Sequence, residues 1–276
     1  MTTVRHLLVG LFLAVSALPT PVSAQSLPPD GEAATARLDA SPRHGEWITY
    51  DAGDGDEVQA WVSYPERSDG APVVVVIHDI RAMSDWARSV GDQIASDGFI
   101  AVTPDLLSGK GPNGGGAESL DPEDVGRAMR ELDRAEVDRR LQAAAAYGTS
   151  LPAATDKVNS VGFYWGGSTS FNFAVDFDGL DAAVVYYGTS PDTETLARIQ
   201  APVLGHYGGV DNRVNATIPD AQAEMERPGK RYDVNIYGGA GHGFLKGQTR
   251  MEGDNMAASE QAWPKTIAFF RELLDG

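Results

Sequence analysis

Three short stretches hold the residue types that could do acid–base or covalent chemistry. In Gly162-Phe163-Tyr164-Trp165-Gly166, two glycines bracket a residue that follows the apolar run 158–163 and precedes the helical pattern 168–175. A G-x-Nuc-x-G sequence between a strand and a helix makes a sharp turn. It lifts the central side chain above a sheet and aims the next backbone N–H at the same spot. Asp211 follows the run 203–207 and the pair Gly208-Gly209, while His242 follows 232–237 inside Gly238-Gly239-Ala240-Gly241-His242-Gly243. A carboxylate, an imidazole and an elbow residue are the parts needed to take a proton from a nucleophile and steady the imidazolium that results. Taken singly, Asp211 reads as a turn former and His242 as a surface histidine; their order, and their positions just after strands, favour a pair.

The elbow side chain is a phenol. Its ordinary pKa of about 10 leaves about one molecule in a thousand ionised at pH 7, unless His242 or a nearby cation lowers it. Cysteine is absent from the chain, which excludes thiolate nucleophiles, thiolate zinc sites and disulfides. Ser168 and Ser170 fall in the first turns of the following helix, so their hydroxyls are expected to point away from the place where Asp211 and His242 converge. The five histidines, His6, His44, His78, His206 and His242, show no metal-ligand spacing, and neither a metal nor a cofactor is expected.

These residues need a frame, and the chain supplies alternating strand and helix signals from residue 46 onward. Segments 47–50 and 58–64 alternate apolar and polar residues around Gly53-Asp54-Gly55, as a hairpin does. The unbroken apolar run 73–77 reads as a strand buried on both faces. A helix is expected over 84–96, a strand over 100–103, and an exposed Gly-rich loop over 110–116. Helices follow from Asp121-Pro122 and around 137–147, with further strands at 158–163, 182–187, 203–207 and 232–237 and a last helix over 256–274. This alternation predicts an α/β fold, a mostly parallel sheet with helices on both faces, with reactive groups at the carboxyl ends of the strands.

The order elbow, acid, histidine is that of α/β-hydrolases. Together with Val73-Val-Val-Val-Ile-His-Asp-Ile80, Thr103-Pro-Asp-Leu106, Tyr186-Tyr-Gly188 and the stretches around Asp211 and His242, it makes residues 58–274 resemble the dienelactone hydrolase family (carboxymethylenebutenolidases) of the α/β-hydrolase fold. The resemblance implies cofactor-free hydrolysis of lactones or small esters. It implies Tyr164, Asp211 and His242 as the catalytic set, with Tyr164 standing where the family usually has cysteine, and the backbone N–H groups of Ile80 and Trp165 as the oxyanion hole. Asp79 stands where the family has a glutamate that contacts the thiol. Lys246 matches a position where family members can hold a substrate carboxylate, and Lys110 is a looser candidate for the same task.

Three readings of such a site stay open. Tyr164 could attack the carbonyl, with His242 as base. His242 could activate water, with Tyr164 donating a hydrogen bond. Alternatively, a catalytically impaired scaffold could bind a small ligand or a partner protein.

Composition narrows the setting. With 22 Lys+Arg against 39 Asp+Glu, a net charge of -17 argues against nucleic acid as a partner. Residues 1–24 combine Arg5, the apolar run 7–18 and Val22-Ser23-Ala24, the pattern of a secretory signal cleaved after Ala24. The apolar run is shorter than the ~20 residues that span a bilayer. The expectation is therefore an exported protein, periplasmic or extracellular, with no stable membrane anchor after cleavage. Residues 25–45 are Pro-, Ala- and Ser-rich without a sustained period. They read as a flexible leader outside the core of the domain 46–276. Neither the substrate's identity nor the oligomeric state follows from the sequence.

Overall fold

A computed structural model describes residues 27–273. The signal expected over 1–24 lies outside the described residues. Among them no helix is long and apolar enough to cross a membrane.

The strands are β1 (Gly45–Asp51), β2 (Glu57–Ser63), β3 (Ala71–Ile77), β4 (Ile100–Pro104), β5 (Ala154–Phe163), β6 (Ala182–Tyr186), β7 (Val203–Gly208) and β8 (Tyr232–Tyr237). They form one eight-stranded sheet in the order β1-β2-β4-β3-β5-β6-β7-β8. The hairpin strands β1 and β2 pair antiparallel with each other, β2 pairs antiparallel with β4, and β3 to β8 run parallel. The nine α-helices of the described residues are α1 (Ala34–Asp39), α2 (Asp85–Ser96), α3 (Pro122–Glu131), α4 (Arg134–Ser150), α5 (Trp165–Asp176), α6 (Thr193–Leu196), α7 (Asn212–Asn215), α8 (Ile218–Glu226) and α9 (Asp254–Glu272).

The apolar run in β3 has a direct cause. Val73, Val75 and Ile77 belong to the same buried cluster as Leu141 of α4, Phe171 of α5 and Ala221 of α8, while Val74 and Val76 share the opposite cluster with Val90 of α2 and Trp263 of α9. A strand covered on both faces has no solvent side on which to place polar residues. Each such valine contributes on the order of 1.5 kcal/mol or more by leaving water. Helix starts follow local chemistry: the Ser84 hydroxyl accepts from Ala87 N at the start of α2, and Asp133 accepts from Ala135 N and Glu136 N at the start of α4.

Residues 27–45 depart from the expected flexible leader. Pro28 and Pro29 are buried, Ala34 of α1 is 1% exposed, and the segment packs against α2. Trp86 Nε1 donates to Pro29 O at 3.1 Å, and Gln248 Nε2 donates to Pro28 O at 2.8 Å. An aperiodic segment can be fully ordered when other parts of the chain satisfy its backbone carbonyls. The helix after the elbow also begins earlier than expected, at Trp165, so one residue makes the whole turn from β5 to α5.

Candidate active site

Tyr164 holds that turn with φ 56° and ψ -116°. This is the left-handed side of backbone space, costing a bulky residue on the order of 1–3 kcal/mol, and it persists only where the surroundings over-determine it. Here they do. Tyr164 N donates to Tyr186 O at 3.1 Å and Ser168 N donates to Tyr164 O at 3.1 Å. The flanking glycines allow the close approach: a Cβ on Gly162 would lie 1.8 Å from Gly166 O, and one on Gly166 would lie 2.3 Å from both Ile77 O and His78 O. Because those clashes are with backbone, Gly166→Ala is expected to destabilise the protein by about 3 kcal/mol or more, seen as a drop in melting midpoint. A midpoint unchanged from wild type would show that the turn is not packed this tightly.

Asp211 and His242 reach the same rim from the ends of β7 and β8. Nδ1 of His242 donates to Oδ2 of Asp211 at 2.5 Å. The carboxylate is buried, whereas the imidazole side chain is 36% exposed. Asp211 also accepts from Val214 N at the start of α7, at 3.4 Å. The histidine loop is tied by Asn255 of α9, a buried residue that accepts from Gly241 N at 2.9 Å and donates to Gly247 O at 2.7 Å. Nothing in the spacing of the sequence marks Asn255 for this task.

The phenol of Tyr164 does not hydrogen-bond to His242. Its hydroxyl donates to Gly243 O at 3.3 Å, and its ring meets the imidazole edge-on at a centroid distance of 4.9 Å. Gly243, at φ 77°, leaves room for it, since a Cβ there would sit 1.8 Å from the Tyr164 oxygen. Burial and the neighbouring Asp79 carboxylate push the phenol above its ordinary pKa, against a smaller opposing pull from Arg250 and Arg81. Tyr187, fully buried with φ 42°, backs both rings at 4.5 Å from Tyr164 and 5.5 Å from His242.

A cavity of about 390 Å³ opens beside Tyr164, lined also by Asp79, Ile80, Arg81, Lys246 and Arg250 and by Asp30, Gly31 and Glu32 from the N-terminal segment. Neither His242 nor Asp211 lines it, whereas Tyr164 both lines it and meets the imidazole edge-on.

Lys246 Nζ donates to Asp79 Oδ2 at 2.5 Å and lies 4.9 Å from the centre of the Trp86 ring. Its charge is therefore met by Asp79. Asp79 Oδ1 accepts from Arg81 N at 2.7 Å. Lys110 is held by Glu136 at 2.7 Å and does not line the cavity. Ile80 does line it, and Trp165, as the first residue of α5, has an N–H with no acceptor inside the helix. Ser168 Oγ pairs with Thr189 and Ser170 Oγ with Ser160, so both hydroxyls are engaged away from His242.

Among the described residues, His78 and His206 do not join the site. His206 is buried against Tyr237 and Thr266, where burial holds its imidazole down at about 3. His78 is buried, accepts from Leu106 N and stacks on Trp165. Among the described residues, no group of three His, Asp or Glu side chains is placed to hold a metal ion. Arg81, Arg250, Asp30 and Glu32 join the cavity without any motif that announced them.

The carboxymethylenebutenolidase of Pseudomonas putida is similar to this chain at 29% identity, over 83% of this chain and 97% of its own. Among solved structures, a dienelactone hydrolase-like promiscuous phosphotriesterase from metagenomic libraries matches with a TM-score of 0.71 and 25% identity, covering 84% of this chain and 98% of its own. The fold is also that of a dienelactone hydrolase from Anabaena variabilis, with a TM-score of 0.60 and 21% identity over 79% of this chain and 96% of the other. The model of the dienelactone hydrolase family matches residues 58–274, which takes in the elbow, Asp211 and His242. With that match and the parallel sheet beneath it, the chain belongs to the dienelactone hydrolase family and has the α/β-hydrolase fold.

Proposed function

We propose that this chain hydrolyses small esters or lactones, with His242, oriented by Asp211, drawing the proton from an attacking water and Tyr164 donating a hydrogen bond to the substrate. The observation that carries this reading is the 2.5 Å Asp211–His242 hydrogen bond at the rim of the strained elbow. With Nδ1 engaged, Nε2 is left as the basic nitrogen, which is the role a general base requires. The backbone N–H groups of Ile80 and Trp165 are the proposed oxyanion donors. Lys246 and Asp79 serve as a charge-neutral pair on the cavity wall.

Water is preferred to the phenol as nucleophile for two reasons. The phenol is held above its ordinary pKa, and its proton is directed to Gly243 O rather than to His242. Tyr164→Phe is accordingly expected to cost about 10-fold in kcat/KM, the worth of one neutral hydrogen bond. Near-complete loss, together with an acyl group on Tyr164 in the intact mass of the wild type, would put the covalent route in its place.

Binding without turnover is the second reading. It is favoured by a cavity that Tyr164 lines and that neither His242 nor Asp211 lines. It requires no turnover across a panel of activated esters, with ligand-induced stabilisation retained.

Export belongs to the proposal as well, on the signal-like pattern of residues 1–24 alone. A mature N-terminus at Gln25 in protein recovered from its producing cell would support it, and an intact Met1 would remove it.

A further inference from the structure

We infer that residues 27–43 form a working wall of the active-site cavity, and that Glu32 on this strap sets which substrate charge the cavity accepts. The inference relies on the hydrolase reading only in taking this cavity as the substrate site. The strap precedes residues 58–274, the span that the family model matches.

The strap is built into the molecule at several points. Besides the bonds from Gln248 and Trp86 to the carbonyls of Pro28 and Pro29, Gly31 N donates to Lys246 O at 2.8 Å, and Asp30 Oδ2 accepts from Thr249 N at 3.3 Å. Farther along, Thr35 Oγ1 donates to Asp85 and the Arg43 guanidinium pairs with Asp92. Gly31 is pressed against Lys246, where a Cβ would lie 3.1 Å from Cγ. The strap thus holds the lysine that Asp79 neutralises and carries Asp30, Gly31 and Glu32 into the wall that Tyr164 shares.

Charge decides what this wall does. Lys246 and Asp79 are paired with each other, and the Asp30 carboxylate is occupied by Glu32 N and by Thr249. Four charged groups of the cavity have no ion pair among the described residues: Arg81, Arg250, Asp30 and Glu32. Two guanidiniums attract an anionic substituent, and the carboxylates of Asp30 and Glu32 oppose it; of these two, only Asp30 is fixed by hydrogen bonds from the protein. At a partly solvated site, one unit charge several ångströms away changes affinity by about 3- to 10-fold. The same change is lost as salt rises. Glu32 is exposed, so changing its side chain removes charge without opening the core.

The test measures binding and needs no turnover. Phenylacetate and phenylacetamide, which differ in charge and little in shape, are titrated calorimetrically into the full chain and into its Glu32→Gln and Glu32→Lys variants. The expected result for Glu32→Gln is phenylacetate binding about 3- to 10-fold tighter, with a larger gain for Glu32→Lys, while phenylacetamide stays within about twofold. The gain should shrink at about 0.5 M NaCl. Equal shifts for both probes, no shift for either, or no binding of either probe to the wild type would each overturn the inference. Absence of ester turnover would instead count against the hydrolase reading and leave this measurement intact.

Discussion

Replacement of His242 by alanine is expected to lower kcat/KM for an activated ester or enol lactone by about 100-fold or more, the usual worth of a positioned general base. The size follows from how few alternatives the site offers. Among the histidines of the described residues, His78 and His206 are fully buried, with both ring nitrogens engaged. Lys246 is bound to Asp79, and the serines of α5 are turned to other partners. Removing the imidazole therefore leaves no other imidazole or unpaired amine beside the elbow, only the carboxylates of Asp211 and the Lys246-bound Asp79. The variant also strips Asp211, a buried carboxylate, of its shortest hydrogen bond, leaving Val214 N at 3.4 Å. Some loss of stability will accompany the loss of rate. The comparison therefore belongs well below the melting midpoint of the variant. Wild-type turnover in a folded His242→Ala protein would discard His242 as the base, and the proposed mechanism with it.

The Tyr164→Cys variant is expected to move in the opposite direction, with a gain of about 100-fold and an acyl-enzyme visible by intact mass. Two physical effects combine. The substitution removes the ring that packs edge-on against the imidazole, and with it the hydroxyl that occupies Gly243 O. It also installs a thiol at the N-terminus of α5, where unpaired N–H groups and the helix dipole favour the thiolate. The thiolate is intrinsically the better nucleophile, and the imidazole stands beside the position it would occupy. A folded Tyr164→Cys protein with no gain in rate would mean that Asp211, His242 and the backbone donors are not arranged for acyl transfer through a thiol.

These two variants separate features that the wild type joins. His242→Ala asks whether the base is needed; Tyr164→Cys asks whether the surroundings are competent once a thiol replaces the ring. Loss in the first with no gain in the second would describe a water-based hydrolase for which Tyr164 is already the suitable residue. No turnover in the wild type and no gain in the second would give the binding reading precedence.

The central strands were legible because their cause is local and repetitive. A parallel strand buried between helix layers has to be apolar along its whole length, so 73–77 marks β3. The elbow was legible for a related reason: only glycine fits where a side chain would strike backbone at 1.8 to 2.3 Å, so Gly162 and Gly166 record the turn in the sequence. The N-terminal strap was not legible. Its order comes from Gln248 and Lys246, more than 200 residues away, and from Trp86, and none of these leaves a period in 27–43. The fate of Lys246 was hidden in the same way, since its partner Asp79 is 167 residues distant and either could have faced solvent.

Thus the residues by themselves determined the sheet, the strained turn and the arrival of Asp211 and His242 at one rim, because these depend on hydrophobic runs, on glycines and on strand order. Only the tertiary structure decided the direction of the Tyr164 phenol, the pairing of Lys246 with Asp79 and the presence of Glu32 at the cavity. Those outcomes depend on where side chains far apart in the chain come to lie, and on which of several polar partners is within about 3 Å once the backbone is folded.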